Sequence, residues 1–161
     1  MSVGDDISAF LFREARLLDD RNWSEWIDCY TSDCSYWMPG WTDDDQLVTD
    51  PQTQVSLIYY ANRQGLEDRV YRLETERSSA SSPEPRTTHM LGNIELLADH
   101  GDELDLRYNW HTLSHRFKTT SQFFGTTFCT LRRTGAELKI SAKKIVLKND
   151  YIHQVVDVYH V

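Results

Sequence analysis

Residues Arg107–Phe128, RYNWHTLSHRFKTTSQFFGTTF, hold the reading that decides the fold. Leading into it, Leu104, Leu106, Tyr108 and Trp110 fall on even positions, and Asp105, Arg107, Asn109, His111 and His115 on odd ones. Alternation of period two marks a strand with one apolar and one polar face. On a strand, His111 and His115 stand about 13 Å apart, at roughly 3.3 Å of rise per residue. A single metal ion bound at about 2 Å by each imidazole does not span that gap. On a helix the same HxxxH spacing would make a zinc pair, so the period decides the chemistry.

Strands continue on either side. Thr87–Leu97, Glu103–His115, Gln122–Arg132 and Glu137–Leu147 are separated only by short breaks at HGD, FKTTS and TG. Links that short permit antiparallel neighbours and not parallel crossovers, which predicts a meander. Gly125, alone inside its strand, reads as a bend or bulge.

The first third reads as helix. Ile7, Phe10, Leu11, Ala15 and Leu18 recur at three-and-four spacing, one stripe of a helix. After DDRN, Asn22 stands three before Glu25, an arrangement related to the capping box. Trp23, Trp26, Ile27 and Tyr30 then form the stripe of a second short helix, which takes in Cys29. Tyr36–Met38 reads as a short strand stopped by Pro39–Gly40. A helix is expected through Val55, Ile58, Tyr59 and Asn62, ending near Gly65, and another short one over Leu66–Leu73. The serines and prolines of Thr75–Pro85, TERSSASSPEP, predict a mobile surface loop. Helices first and a sheet last is the α+β pattern: one domain over residues 1–161, with N-terminal helices packed on a curved, mainly antiparallel sheet as a half-open cone.

Charge limits the partners. Residues 1–50 carry 12 acids against three arginines, a balance of −9 within a net charge of −8, and all five lysines follow Phe117. An acidic front half repels phosphate backbones, so nucleic acid is not an expected partner. No apolar run approaches the ~20 residues that span a bilayer. The N-terminus carries acid where a signal peptide carries base, so a cytoplasmic protein is expected. Cys29, Cys34 and Cys129 make neither an even disulfide set nor a CxxC site, and read as buried reduced thiols.

A cone is able to house an active site, which makes its ionisable residues candidates. His89, with Arg86 before it and Asn93 after it, lies on the first long strand; in a regular strand His89, Leu91 and Asn93 share a face. As a general base it would need an acid such as Asp28 or Asp33 from the helices. Nothing in the sequence places an acid there, which favours a histidine bonded within the sheet or at a subunit contact. Arg107, Asn109, His111 and His115 form a polar face, either wet or buried in an interface. His153 and His160 lie among Ile152, Val155, Val156, Val158 and Tyr159, a tail that docks with His160 as its anchor. Phosphate loops, nucleophile elbows, Rieske ligand pairs and the two-histidine, one-carboxylate iron triad do not occur in the sequence.

Longer runs carry a resemblance. LFREARLLDDRNWSEWIDCY, YWMP, SLIYYANRQGLEDRVYRL, RTTHMLGNIEL, NWHTLSHR, FFGTTF and KNDYIHQVVDVYHV follow one another in the order found in the small (beta) subunits of aromatic-ring-hydroxylating dioxygenases. From about Phe10 to Val161 the chain resembles that family, and YWMPGWTDDDQL with NRQGLEDRV is most similar to its benzoate and toluate branch. The resemblance implies a cystatin-like (NTF2-like) cone in a hexamer of three large (alpha) and three small subunits. It also implies that the Rieske 2Fe-2S cluster and mononuclear Fe(II) belong to the large subunit, with NADH acting through a separate reductase. The small subunit is then a scaffold without catalytic, cofactor or metal residues. Arg86, His89, Asn93, Arg107, His111, His115 and His160 are carried only as structural or interface candidates. The alternatives are a free-standing cone-fold isomerase or dehydratase with His89 as base, and a binding or oligomerisation module with no enzyme attached.

Overall fold

In a computed structural model, which describes residues 2–79, 84–149 and 156–161, the chain opens on helix α1 (Val3–Asp19). Ser2 caps it: its hydroxyl accepts the Asp5 N–H, and the Asp5 carboxylate accepts the Ser2 N–H in return. Two of the helix's orphan donors are thereby satisfied. Helix α2 (Trp23–Ile27) follows. Asn22 stands at its N-cap position but makes no side-chain cap bond there, so the expected capping arrangement is not formed. The helix also stops earlier than its aromatic stripe predicts. Cys29 lies in the turn after it, and Tyr30 already begins β1 (Tyr30–Pro39), ten residues where three were expected.

The segment read as a helix around Ile58 is instead strand β2 (Ser56–Tyr60), hydrogen-bonded antiparallel to β1. Its apolar residues happen to fall at helical spacing, but five residues rich in β-branched and aromatic side chains beside an open sheet edge settle as a strand. Helix α3 (Arg63–Ser79) then runs well past Leu73. Residues 75–79, expected in a loop, are helical; Ser81, Ser82 and Pro83 lie outside the described residues.

The meander is β3 (Arg86–Asp99), β4 (Glu103–Arg116), β5 (Thr119–Thr134) and β6 (Glu137–Leu147), each pair antiparallel. The β4–β5 link is the two-residue turn Phe117–Lys118, both at positive φ, a pattern that suits the twist of a hairpin. β1 joins β6 in parallel, giving one six-stranded sheet ordered β2-β1-β6-β5-β4-β3. Gly125 is not a bulge. Its pairing with Trp110 and Leu147 is continuous, and a Cβ there would meet the Val146 carbonyl at 2.0 Å. Only glycine allows that close approach.

The helices cover one face of the sheet, closing a half-open cone. Its core joins Ile7, Leu11 and Leu18 of α1 and Trp26 of α2 to Tyr36, Leu106, Trp110, Phe123 and Ile145 of the sheet. The even residues of β4 from Leu104 to Ser114 all point inward and are buried, as the alternation predicts. A 3-10 turn, Val158–His160, packs into the same core. Among the described residues no helix is long and apolar enough to cross a membrane.

Candidate functional site

Two polar arrangements occupy the inner face, and a third the outer. In the middle of the core, Glu14 and Lys143 form an ion pair of 3.0 Å, their side chains 3% and 2% exposed. The same Glu14 oxygen accepts the Trp26 indole N–H at 3.0 Å and the Tyr30 hydroxyl at 2.8 Å. Burial alone would favour the neutral acid, but Lys143 and the two donors outweigh it and hold the Glu14 carboxyl below its ordinary value. For Lys143, burial disfavours the charge and Glu14 restores it, for a net upward shift. A pair so enclosed survives because each ion meets its counter-ion and donors in place of water. The sequence reading missed both residues. Their signals were present: Glu14 sits on the stripe Ile7, Leu11, Leu18, and Lys143 shares the parity of Ile145 and Leu147.

The second arrangement lies on the inner face of β3 and β4. His89 Nδ1 is 2.6 Å from Asp19 Oδ1, at the end of α1. Asp19 also accepts the His89 backbone N–H and the Thr87 hydroxyl, each at 2.9 Å. Partial burial opposes ionisation of Asp19, and these bonds prevail, lowering its pKa. The acid beside His89 is therefore neither Asp28, which caps the end of α2, nor Asp33, which pairs with Arg132 at 2.9 Å. His160 is buried from the other side. Its ring stacks on Phe123 with centroids 4.5 Å apart, and its Nδ1 accepts the Asp157 N–H at 2.9 Å. Asp157 is in turn ion-paired with Arg69 of α3. Burial pushes the His160 pKa down to about 4. His153 lies outside the described residues.

Asn93 does not join His89. The strand is irregular between Gly92 and Glu95, with Asn93 at φ +50°, so the shared face expected of a regular strand is lost. Asn93 instead lines a groove of about 360 Å³ with Ile94, Glu95, Arg107 and Asn109. Arg86 is exposed at the start of β3, opposite His115. His111 and His115 are tied to separate residues of β5, Gln122 at 2.9 Å and Thr120 at 2.7 Å.

That outer face carries one continuous row across all six strands. Tyr59, Trp37, Lys144, Phe128, Arg107 and Glu95 are successive register partners from β2 to β3. The Lys144 ammonium lies 5.2 Å from the Trp37 ring centroid and 6.0 Å from that of Phe128. The Arg107 guanidinium lies 5.2 Å over Phe128 and 3.6 Å from Glu95. Alternating cations and aromatic faces hold one another in place by cation–π attraction, while Met90, Phe124 and Phe128 stay substantially exposed.

The three cysteines are free and buried. Burial raises the thiols of Cys29 and Cys129 to about 12 and that of Cys34 to about 11, the opposite of what a metal-binding thiolate needs. Among the described residues no three histidine, cysteine or carboxylate side chains are grouped to hold a metal ion.

Comparison with known proteins gives consistent matches. A family model described as ring hydroxylating beta subunit matches residues 13–154. The toluate 1,2-dioxygenase subunit beta of Pseudomonas putida is 59% identical over 152 residues, covering 94% of each chain. The 2-halobenzoate 1,2-dioxygenase small subunit of Burkholderia cepacia is 57% identical, over 97% of this chain and 94% of that one. Among solved structures, the beta subunit of the benzoate 1,2-dioxygenase of Burkholderia mallei superposes with a TM-score of 0.86 at 49% identity, over 100% of this chain and 98% of that one.

Proposed function

The chain belongs to the ring hydroxylating beta subunit family, and on that premise we propose that it is the structural small subunit of the terminal oxygenase of a benzoate-type 1,2-dioxygenase. It acts in the cytoplasm as one domain, bound to a large subunit and to other copies of itself in a hexamer of three and three. The observation that carries this reading is the near-full-length identity to small subunits of dioxygenases acting on aromatic carboxylic acids. The large subunit holds the Rieske cluster and mononuclear iron, which with electrons from NADH supply the O2 chemistry that cis-dihydroxylates the ring. This chain's donors do not fit either group: its thiols are held protonated, and among the described residues no three histidine, cysteine or carboxylate side chains are grouped to hold a metal ion.

What the chain contributes is shape. Its inner face packs against its own helices, and its outer face presents the ordered row from Tyr59 to Glu95 for assembly. Arg86, Arg107, His111 and His115 serve there as contact residues, while His89 and His160 hold the chain's own elements together. Co-expression with a large subunit followed by gel filtration tests the proposal. The expected result is one complex containing both chains and dioxygenase turnover that requires both; a small subunit that elutes alone and leaves turnover unchanged defeats it.

One observation favours a second reading. The Asp19–His89 contact has the base-plus-orienter geometry of general base catalysis, as a free-standing isomerase or dehydratase would need. In that case His89→Ala abolishes turnover while assembly persists; under the scaffold reading it weakens the α1–β3 contact and leaves chemistry to the large subunit.

A further inference from the structure

Four buried side-chain atoms on β3, β4 and the C-terminal 3-10 turn have no hydrogen-bond partner among the described residues: His89 Nε2, Trp110 Nε1, Thr112 Oγ1 and His160 Nε2. They are neighbours. His89, Thr112 and Phe123 are register partners in one rung, and His160 stacks on Phe123. Trp110 stands in the next inward rung, about 7 Å along β4. Trp110, Thr112 and His160 are at most 4% exposed, and the His89 side chain is 2% exposed. Native interiors rarely leave one such atom unsatisfied, and four together mark a place built for an occupant.

Their roles are complementary. His160 Nδ1 accepts the Asp157 N–H, so its ring proton sits on Nε2, a donor. His89 Nδ1 faces the acceptor-only Asp19 carboxylate, so neutral His89 carries its proton there and offers a lone pair at Nε2. Trp110 is a donor only, and the Thr112 hydroxyl turns to either role. The set thus supplies two fixed N–H donors, one fixed acceptor and one adjustable hydroxyl. An oxygen that accepts from the donors and gives its own proton to His89 completes it; a metal cation, facing two N–H groups, does not.

We propose that these four residues form an internal binding site for one hydroxylic oxygen, that of a water molecule or of a small alcohol, with Asp19 fixing the His89 tautomer that accepts its proton. The site is separate from the outer assembly face, so its failure leaves the assembly role untouched.

The test is nuclear magnetic resonance on the full chain, ¹⁵N-labelled, following the Trp110 Nε1–H and His160 Nε2–H signals. Magnetisation transfer from water reads the solvent arm; titration with benzyl alcohol reads the organic arm. The expected result is a long-lived water contact at Trp110 Nε1–H, or a saturable shift of both signals with benzyl alcohol. His160→Phe keeps the stack on Phe123 and deletes one donor; Thr112→Val keeps the volume and deletes the hydroxyl. Each should weaken probe binding about tenfold, the worth of one buried hydrogen bond, or shorten the water contact. Thr112→Val and the unaltered chain remain decisive if His160→Phe does not fold. Signals that meet neither water nor probe overturn the proposal, as does a response unchanged in Thr112→Val.

Discussion

Lys143 and Lys144 are adjacent on β6 and stand on opposite faces of one sheet. Lys143 belongs to the inner rung Leu96, Leu106, Cys129, Lys143, Tyr36, Tyr60. Lys144 belongs to the outer rung Glu95, Arg107, Phe128, Lys144, Trp37, Tyr59, one residue away on every strand. Both rungs cross all six strands, and both set cations against aromatic rings. The difference is water. Inside, the lysine charge needs a dedicated carboxylate, whereas outside, solvent does part of that work and the aromatic faces only position the cation. The inner rung therefore specifies the fold, and the outer one is free to specify partners.

The largest effect should follow from breaking the inner pair. Lys143→Met leaves Glu14 buried without its counter-ion and should cost about 3–5 kcal/mol, a large share of an ordinary domain's stability. Lys144→Met should change stability by less than about 1 kcal/mol. Glu14→Leu combined with Lys143→Met should recover most of the loss, since an apolar pair of similar volume is often neutral or better. Urea unfolding of the three variants checks this; equal costs for Lys143 and Lys144 would erase the distinction between the faces.

The inner face should also be the acid-sensitive one. Burial, against the opposing Asp157 carboxylate, holds His160 neutral down to about pH 4 in the folded chain, while the unfolded value is about 6.5. Between those limits the unfolded chain binds more protons. Stability is therefore whole above pH 6.5 and falls as the pH drops toward 4, by up to roughly 3 kcal/mol at about 1.4 kcal/mol per unit. The lowered carboxyls of Glu14 and Asp19 act below their ordinary range near pH 4, a separate window. Unfolding followed from pH 7 to 4 should show the slope, and His160→Phe should flatten it without touching the lower window.

Periodicity is local, so the four meander strands and the two faces of β4 were legible from their alternation, and the ends of β6 fell where expected. Glu14 and Lys143 meet across 129 positions, and no local pattern says which lysine finds which acid. The same holds for Asp19 and His89: the need for an acid is visible in the sequence, but the acids expected, Asp28 and Asp33, belong to α2 and β1, while the end of α1 supplies it. β2 departs from its helical spacing because its neighbour on the sheet, not its own pattern, decides its conformation. The bulge at Asn93 likewise redirects a side chain that regular alternation would have placed beside His89.

On the outer face, Arg107→Ala removes the guanidinium that bridges Phe128 and Glu95. The folded chain should unfold at nearly the same urea concentration, because the side chain is partly solvated and its ion pair contributes little. Association should weaken instead, by about 1–2 kcal/mol or roughly tenfold, as arginines in interface centres commonly do. Sedimentation of the variant with its large subunit measures this, with Lys118→Ala, in the β4–β5 turn, as a control expected to be neutral. Normal association alongside lost stability would place Arg107 with the fold and not with the partners.

The smallest effect sharpens the comparison most. Tyr36 is in the inner rung, fully buried beside Lys143, and its hydroxyl has no hydrogen-bond partner among the described residues. Tyr30, whose ring centroid lies 6.1 Å from that of Tyr36, gives its hydroxyl to Glu14. Tyr30→Phe should therefore cost about 1–2 kcal/mol, because the carboxylate loses a donor it cannot replace. Tyr36→Phe removes an unsatisfied group and keeps the ring under the Lys143 ammonium, so its stability should stay within about 1 kcal/mol of the parent or rise. Equal losses for the two tyrosines would mean that the Tyr36 hydroxyl is served by a buried water, and that the core holds its charges with solvent as well as with side chains.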